Sequence, residues 1–557
     1  MAVTKHIALS MKSLGETLGY LQLSEMAFPV LMKLLVTTAW RARKIIITIG
    51  YSLPHTAPAP PVPSVRHPGS IESRRSITTT TTMTSHYEAI IVGSGQGGGP
   101  LALAFAKAGR RTALVESTHV GGTCINEGCT PTKTMVASAR IAHLACRAQS
   151  YGVQFKRSSL VLNMETVRKR KRDIVDSFRS GSEGRIKNAE NLDLIMGKAR
   201  FTGPKTLEVV EHDNKDAPTP LTLTGDQIFI NAGCSPAALH ARNADKTEGL
   251  LNSTTIMELS EVPRHLAVVG GGAVGCEFAQ IMKRFGARVS LIQRAEQLLP
   301  KEDADVADEI RSIFTGAGID VYTGATVKEV SNVTLGQIVL SLTQDNGTPK
   351  SLLCSHVLVA AGRTPNTPDL GLASAGIEVD AHGFIKVDEH LATTAPDVWA
   401  LGDIKGGIQQ THVSYDDFRV LRHNLVTHAT SGERASIQGR LVPYTVFIDP
   451  QLGRVGMTEK EARALHPPRN IKVAKMPMSY VARALEMDET KGFMKAVVDA
   501  DTKEILGFTC LGIEGGEIMS MVQLAMLGGL TYDELENAIF AHPCLSESLN
   551  NLWGFLE

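Results

Sequence analysis

Two stretches of the chain, residues 87–116 and 265–293, share one order of apolar and polar positions. Each begins with a short apolar run that ends in a glycine-rich turn. A helical pattern follows and stops at a glycine, and a second apolar run completes the stretch. Strand, glycine turn, helix and strand are the parts of a dinucleotide-binding βαβ unit. The pattern therefore predicts an α/β protein that contains two such units.

Both glycine turns have the GxGxxG spacing, formed by Gly93, Gly95 and Gly98 in the first unit and by Gly270, Gly272 and Gly275 in the second. In the first unit, Glu116 stands 23 residues after the first glycine, at the end of the second apolar run. A carboxylate at that place binds the ribose hydroxyls of a dinucleotide. Glu116 is therefore predicted to be a cofactor-binding residue.

The second unit differs at the corresponding position. Gln293 stands 23 residues after its first glycine, and Arg294 follows directly. An acid there would bind a ribose 2′-hydroxyl, whereas an arginine suits a 2′-phosphate. Arg294 therefore favours NADPH over NADH as the second nucleotide.

Two cysteines, Cys124 and Cys129, stand five positions apart among glycines, and Pro131 follows the second. In a regular helix such residues are about 7.5 Å apart along the axis, whereas a disulfide needs Cα atoms about 4.4–6.8 Å apart. The backbone is therefore predicted to be irregular at Cys124, and Pro131 indicates a helix start near Cys129. A helix N-terminus favours a thiolate, so the pair is interpreted as redox-active. The pair alone leaves two ordinary buried cysteines as an equal alternative.

Four later motifs lie at 361–366, 398–403, 444–450 and 541–547. With them, the chain from about Tyr87 onward resembles the class I pyridine nucleotide–disulfide oxidoreductases, and most of all the mercuric reductase-like and dihydrolipoamide dehydrogenase-like members. The resemblance implies two Rossmann-like domains, which bind FAD and NAD(P)H, and a C-terminal α+β dimerisation domain built on a mixed sheet. The expected segments are an extension (1–82), a first FAD part (83–235), the NAD(P)H domain (236–355), a second FAD part (356–438) and the dimerisation domain (439–557).

The resemblance also implies an enzyme in which hydride passes from the nicotinamide to FAD and then to a Cys124–Cys129 disulfide. Cys129 is expected to face the flavin and Cys124 to exchange with the acceptor. His542 would be the acid–base group, oriented by Glu547, and would serve the other subunit of a homodimer with shared active sites. The remaining residues expected to bind the cofactors are Gly122, Thr123, Lys133 with its partner Glu277, and Asp403.

The acceptor stays open at this stage. No cysteine follows Cys544, which weakens mercuric ion reduction, and Gln293 weakens a dihydrolipoyl dehydrogenase role. A quinone reductase and a non-catalytic nucleotide-binding flavoprotein are further alternatives. Cys544 itself stands where the family has threonine, and it is interpreted as a small buried residue.

Composition excludes several other classes of protein. The 557 residues carry no formal net charge, which gives no reason to expect a nucleic-acid partner, and the eight cysteines are too few for a disulfide scaffold. An apolar patch at 27–40 is interrupted by Lys33 and is too short to span a membrane. No set of metal ligands is assigned, and the acceptor is expected to be a small molecule.

Residues 1–82 hold nine basic residues against three acidic ones. This bias is typical of a mitochondrial transit segment. The competing interpretation is a start at Met83, with a cytoplasmic protein. The sequence does not decide between them.

Overall fold

The structure, a computed structural model, describes residues 84–156, 160–211, 220–334, 336–428 and 432–557. The extension 1–82, with its transit and start-site alternatives and its apolar patch, lies outside the described residues. The strands are, in chain order, β1 (Thr84–Val92), β2 (Thr112–Glu116), β3 (Leu192–Gly203), β4 (Thr206–Glu211), β5 (Leu221–Ile230), β6 (Cys234–Pro236), β7 (Leu250–Leu251), β8 (His265–Val269), β9 (Arg288–Ile292), β10 (Asp320–Tyr322), β11 (Ala325–Thr334), β12 (Gln337–Gln344), β13 (Pro349–Cys354), β14 (His356–Val359), β15 (Arg363–Pro365), β16 (Val398–Ala400), β17 (Tyr444–Val446), β18 (Gln451–Gly456), β19 (Ile471–Pro477), β20 (Phe493–Asp499) and β21 (Ile505–Gly512).

The helices include one after each of the two glycine turns, as the apolar pattern predicts. They are α1 (Gly98–Lys107), α2 (Gly122–Asn126), α3 (Cys129–Arg147), α4 (Met164–Lys187), α5 (Ala273–Phe285), α6 (Ala304–Gly316), α7 (Thr411–Arg422), α8 (Glu459–Arg463), α9 (Ala482–Glu486), α10 (Gly515–Leu527), α11 (Tyr532–Glu536) and α12 (Ser548–Asn551).

The first sheet has a parallel centre in the order β3-β2-β1-β5-β16. The strand β4 pairs antiparallel with the far ends of β3 and β5. Ala89, Ile90 and Ile91 in β1 are fully buried, because this strand has neighbours on both edges and helices or loops on both faces. The strand β16 returns from a distant part of the chain, as expected of an interrupted FAD domain.

The second sheet is wholly parallel, in the order β10-β9-β8-β14-β7. The antiparallel meander β11-β12-β13 lies between its strands in the sequence. Both glycine turns therefore join a central parallel strand to a helix, β1 to α1 and β8 to α5. This is the geometry of a dinucleotide-binding unit.

The third sheet lies in the C-terminal part, in the order β17-β18-β21-β20-β19. All its pairings are antiparallel, so the expectation of a mixed sheet there was wrong. Short turns join β17 to β18 and β20 to β21, and such connections give antiparallel neighbours. Three side chains along α10 are left exposed, Met521, Leu524 and Leu527. The exact domain boundaries given above stay predictions.

Among the residues that the structure describes, no helix is long and apolar enough to cross a bilayer.

Candidate active site

The two cysteines lie at the junction of two helices. Cys124 is inside the short helix α2, and Cys129 is the first residue of α3. The chain leaves the helical conformation between them, at Glu127 and at Gly128, which has φ −124° and ψ −110°. The predicted break is therefore real, but it lies after Cys124 rather than at it. The predicted helix start at Cys129 agrees with the structure.

Both cysteines are free thiols that interact with each other. A hydrogen bond from Cys124 is the largest influence that lowers the pKa of Cys129, to about 6, and it outweighs the effect of burial. Thr411 and Lys133 lower this pKa further. The same hydrogen bond, followed by burial, raises the pKa of Cys124. The geometry thus favours a thiolate on Cys129 and a thiol on Cys124.

Thr411 is a site residue that the sequence did not reveal. Its Oγ1 lies 3.2 Å from the Sγ of Cys129, and it is the first residue of α7. The N-termini of α3 and α7 thus both lie at this sulfur, where helix dipoles favour negative charge. The two residues are 282 positions apart, and no local pattern marks the contact.

Lys133 and Glu277 form a close ion pair, as the resemblance implies. The Lys133 Nζ lies 2.7 and 3.0 Å from the carboxylate oxygens of Glu277, whose side chain is only 4 % exposed. Lys133 stands one turn after Cys129 on α3, and Glu277 lies on α5. The pair therefore joins the helix of the redox cysteine to the helix of the second glycine turn.

The first glycine turn is built to hold a dinucleotide. A Cβ at Gly98 would lie 2.1 Å from the carbonyl oxygen of Gly93, so the helix start packs closely against the turn. At Gly95 a Cβ would lie 2.9 Å from the amide oxygen of Asn231. This amide oxygen also accepts a hydrogen bond from the backbone of Gly98, and the amide nitrogen donates to Leu401. Asn231, which the sequence analysis did not single out, therefore connects the first glycine turn, here called the cradle, to the segment after β16.

Glu116 and the cysteine loop meet at this turn. The Glu116 carboxylate accepts hydrogen bonds from the backbone and the hydroxyl of Ser94, and that hydroxyl accepts one from the backbone of Gly121. A Cβ at Gly122 would lie 2.7 Å from the Cα of Gly95. Thr123 is exposed beside Cys124 on α2. The redox loop is therefore seated directly on the predicted FAD-binding turn.

Asp403 comes just after β16. It therefore lies at the carboxyl end of the parallel strands of the first sheet, the end at which the glycine turn follows β1. Burial raises the pKa of its carboxyl, against the influence of Arg363 and Lys405. The Nε of Arg363 is buried without a hydrogen-bond partner in the described part of the chain, and it lies 3.8 Å from the Asp403 carboxylate. Arg363 therefore helps to hold the Asp403 carboxylate, and its buried Nε is not open to a ligand.

The second glycine turn has the same construction. A Cβ at Gly275 would lie 1.8 Å from the carbonyl oxygen of Gly270. Gly272 is the residue directly before the helix α5. The amide oxygen of Gln293 accepts a hydrogen bond from the backbone of Gly271 at 3.0 Å, as Glu116 does from Ser94 in the first unit. Arg294 is exposed next to it. The residues therefore fit a nucleotide without providing the usual ribose-binding acid.

His542 and Glu547 form the predicted dyad. The Nδ1 of His542 lies 2.9 and 3.0 Å from the two carboxylate oxygens of Glu547, and the histidine side chain is 70 % exposed. Within the described part of this single chain, no hydrogen bond or ion pair joins the dyad to the cysteines. Cys544 is exposed, so its interpretation as a buried residue was wrong for the single chain.

Comparison with known proteins identifies the family. Residues 87–417 match the model described as pyridine nucleotide-disulphide oxidoreductase, and residues 442–552 match its dimerisation domain. The chain belongs to this family. The predictions of an FAD- and NAD(P)H-dependent oxidoreductase acting on a sulfur group, of two dinucleotide-binding domains and of a homodimer are thereby confirmed at the level of the family.

Several relatives of this oxidoreductase are similar over most of their length. A probable pyridine nucleotide-disulfide oxidoreductase, RclA of Escherichia coli, is 36% identical over 85% of this chain and 99% of its own. A dihydrolipoyl dehydrogenase of Thermus scotoductus is 33% identical, covering 83% and 96%. A mercuric reductase of Bacillus cereus is 30% identical, covering 83% of this chain and 70% of its own. A solved Cu(II) complex of the RclA flavoprotein disulfide reductase, 36% identical, superposes with a TM-score of 0.75 over 84% of this chain and 99% of its own.

No group of three or more His, Cys, Asp or Glu side chains in the described part of the oxidoreductase could hold a metal ion.

Proposed function

We propose that this oxidoreductase uses Cys124 as the thiol that reacts with the acceptor and Cys129 as the thiol that faces the flavin. The observation that carries this assignment is the unequal proton affinity of the two sulfurs. The pKa of Cys129 is lowered to about 6, first through its hydrogen bond with Cys124, while the pKa of Cys124 is raised. A resting thiolate on one sulfur and a proton on the other give the two thiols distinct tasks.

The cradle around Gly93, Gly95 and Gly98 would hold FAD, with Glu116 at the ribose and Asp403 further along the cofactor. When bound, FAD links a two-electron hydride donor to the cysteine pair. Lys133, held by Glu277, keeps a positive charge next to Cys129. That charge stabilises the Cys129 thiolate, and it therefore favours reduction of the Cys124–Cys129 disulfide to the dithiol state.

The thiol chemistry can be written for a disulfide acceptor. His542 removes the proton of Cys124, and the resulting thiolate attacks one sulfur of the acceptor. The bond between the acceptor sulfurs breaks, and the departing thiolate takes the proton from His542. The Cys129 thiolate then attacks the Cys124 sulfur, which releases the second acceptor thiolate and forms the Cys124–Cys129 disulfide. Glu547 fixes the imidazole for both proton transfers.

This scheme requires His542 to act on the cysteines of the other subunit. Its exposure in the single chain, with Glu547 behind it, supports a position at the subunit interface. The acceptor site is therefore proposed to be shared between the two subunits of the homodimer.

NADPH is proposed as the preferred donor. Gln293 leaves no negative charge at the ribose position, and its amide is already engaged with the backbone of Gly271. Arg294 is exposed beside it, and among the described residues it forms no ion pair. A free guanidinium at this position suits a 2′-phosphate.

A small disulfide is proposed as the acceptor. A metal ion is the second candidate, because RclA of Escherichia coli has been solved as a Cu(II) complex, both unmodified and as a mutant in which serine replaces a cysteine. Oxidation of the dithiol to a disulfide supplies two electrons, which would reduce two Cu(II) ions to Cu(I). Hg(II) and quinones are further acceptors that the test must include.

The test begins with anaerobic addition of NADPH to the purified holoenzyme. Bleaching of the flavin followed by long-wavelength absorption from a thiolate against oxidised flavin would support the assignment. Steady-state rates are then compared for oxidised glutathione, lipoamide, Cu(II), Hg(II) and quinones, each with NADPH and NADH. A flavin that stays oxidised would overturn the proposal. Activity with quinones and with no other acceptor would mean that the cysteines do not take part in the reaction.

For the location we propose two possibilities, mitochondrial or cytoplasmic. Fluorescently tagged full-length protein and a version that starts at Met83 should differ in location if residues 1–82 direct import. If the two versions have the same location and the same activity, residues 1–82 do not direct import, and the cytoplasmic alternative is favoured.

A further inference from the structure

A segment of the C-terminal part, residues 446–449, lies between the helices α3 and α5. Val446 and Ile448 are buried in the same apolar cluster as Met135 of α3 and Phe278 of α5. Successive side chains of an extended segment point in opposite directions. Phe447 therefore turns away from that cluster, and its side chain is half-buried.

The segment is fastened to both helices by polar contacts. On α5, the Gln280 amide accepts a hydrogen bond from the backbone of Asp449 at 2.7 Å and donates one to its carbonyl at 2.8 Å. The Asp449 carboxylate lies 2.8 Å from Arg140 of α3 and 2.7 Å from Arg284 of α5. The backbone of Phe447 thus has a fixed position relative to the helices that carry Cys129 and the second glycine turn.

Phe447 touches both members of the Lys133–Glu277 pair. Its backbone N–H donates to the Glu277 carboxylate at 2.9 Å. Its ring centroid lies 4.9 Å from the Lys133 Nζ, within the distance of a cation–π contact. The Lys133 side chain is 33% exposed, so the ring covers part of an ammonium that would otherwise face water.

We infer that Phe447 is a positioning residue of the active site, which holds Lys133 in place for the Cys129 thiolate and the flavin. This inference rests on the proposed roles of Lys133 and Cys129. The charged and polar groups that act on Cys129 are Cys124, Thr411, Lys133 and, more weakly and in the opposite sense, Glu277. Of these, Lys133 is the one that the Phe447 ring contacts, whereas Glu277 contacts only the Phe447 backbone. The segment that begins the dimerisation domain thereby influences the redox centre.

The test replaces the ring and leaves the backbone hydrogen bond in place. Phe447→Leu removes the π face, and Phe447→Tyr keeps it. The measurement is the pH midpoint of the long-wavelength thiolate–flavin absorption in the holoenzyme after anaerobic two-electron reduction. Phe447→Leu should raise this midpoint by about 0.5 pH unit, the size of a partly exposed cation–π contact. Phe447→Tyr should stay at the wild-type value.

The matched control is Phe493→Leu. Phe493 lies in the same part of the chain, and its ring lies 4.1 Å from the Lys475 Nζ. This substitution removes the same kind of contact from a different lysine and should leave the midpoint unchanged. Equal midpoints in Phe447→Leu and wild type would overturn the inference, as would equal shifts in Phe447→Leu and Phe493→Leu.

Failure of folding, failure of the proposed function and failure of this inference are distinguishable. If Phe447→Leu loses its flavin, Phe447→Met, which is apolar and of similar bulk but lacks the π face, takes its place in the comparison with Phe447→Tyr. If the wild-type enzyme shows no long-wavelength absorption at any pH, the proposed function fails. If the absorption is present and is indifferent to the ring, only the role of Phe447 fails.

Discussion

The hydroxyl of Thr411 lies 3.2 Å from the sulfur of Cys129, across 282 residues of sequence. Cys129 also receives a hydrogen bond from Cys124, so two polar groups contact one sulfur. Both contacts lower the pKa of Cys129 and so favour its thiolate. Because Thr411 begins α7, the position of this hydroxyl depends on how the returning part of the FAD domain packs on the cysteine loop.

Thr411→Val should therefore raise the pKa of the Cys129 thiol. Valine has a shape similar to that of threonine but cannot donate, and a hydrogen bond to a charged group contributes about 1.5–3 kcal/mol, which corresponds to roughly one to two pKa units. The measurement is the pH midpoint of the thiolate–flavin absorption in the reduced enzyme. Thr411→Ser, which keeps the hydroxyl, should restore the wild-type midpoint. A midpoint unchanged in the valine variant would contradict the role.

The two cysteines should differ in their effect on electron acceptors. Cys124→Ser leaves Cys129 in place but removes the sulfur that reacts with a disulfide, so disulfide reduction should fall by at least about 1000-fold. Direct transfer from the flavin to a quinone does not need Cys124 and should keep a measurable part of its rate. Steady-state assays with NADPH and both acceptor classes check this. An equal loss with both acceptors would mean that quinones also receive their electrons through the thiols.

The fold and much of the site were predictable because their signals are local. The glycine turns, the helix start at Cys129 and the dyad of His542 and Glu547 each lie within a few positions of sequence, where spacing fixes geometry. Thr411 and Asn231 were not predictable, because their contacts join segments more than 100 residues apart. Their positions follow from tertiary packing, for which one sequence contains no direct signal.

The position of the break between the cysteines shows a second limit. Spacing required an irregular backbone near the two cysteines, and the prediction placed it at Cys124. The short helix α2 includes Cys124 and ends at Asn126, so the irregular conformation falls on Glu127 and Gly128. In the C-terminal part, the antiparallel order of the sheet depends on which strands pair, and β18 pairs with β21, which lies far along the chain. The strands β20 and β21 are buried along their whole length, so they lack the alternation that is typical of antiparallel strands.

Substitutions at Gln293 and Arg294 should each reduce the preference for NADPH, by different physical causes. Gln293→Glu can keep the hydrogen bond to Gly271 while adding a charge that attracts a ribose hydroxyl and repels a phosphate. The ratio of kcat/KM for NADPH to that for NADH should fall by about tenfold, which is about 1.4 kcal/mol of discrimination. Arg294→Ala should raise the KM for NADPH by a similar factor and leave that for NADH nearly unchanged.

Arg264→Ala is the control for this pair. Arg264 is exposed at the amino end of β8, whereas nucleotides bind at the carboxyl ends of parallel strands. Its loss should change neither KM. If Arg294→Ala changes the KM for NADPH and the KM for NADH equally, Arg294 does not recognise the 2′-phosphate.

Shared active sites predict complementation between inactive subunits. Cys124→Ser and His542→Gln homodimers should both lack disulfide reductase activity. In a mixed dimer, one site combines the intact Cys124 of one subunit with the intact His542 of the other. In the purified mixed dimer, about one half of the sites should therefore be active. Co-expression with two affinity tags, followed by assays of the purified mixed dimer, measures this. Inactive mixed dimers would place each dyad with the cysteines of its own chain.

Glu302 should make the stability of the protein depend on pH. Its side chain is 2 % exposed and lies 3.4 Å from Arg454. Burial raises the pKa of its carboxyl to about 7, although Arg454 opposes the shift. The folded state therefore holds this proton more tightly than the unfolded state does. The resulting stability is complete below the ordinary value of 4.5 and is lost as the pH rises through about 7.

Glu302→Gln removes this titration while keeping the size of the side chain. The Tm of the variant relative to wild type should therefore increase between pH 5 and pH 8, as wild type loses the contribution and the variant does not. Glu378→Gln is the control, because Glu378 is also ion-paired, to Lys386 at 3.0 Å, but is 62% exposed and distant from Arg454 in the sequence. Thermal unfolding followed by flavin fluorescence across this range measures both. A difference in Tm that stays constant from pH 5 to pH 8 would mean that Glu302 is ionised in the folded protein throughout, with Arg454 outweighing the cost of burial.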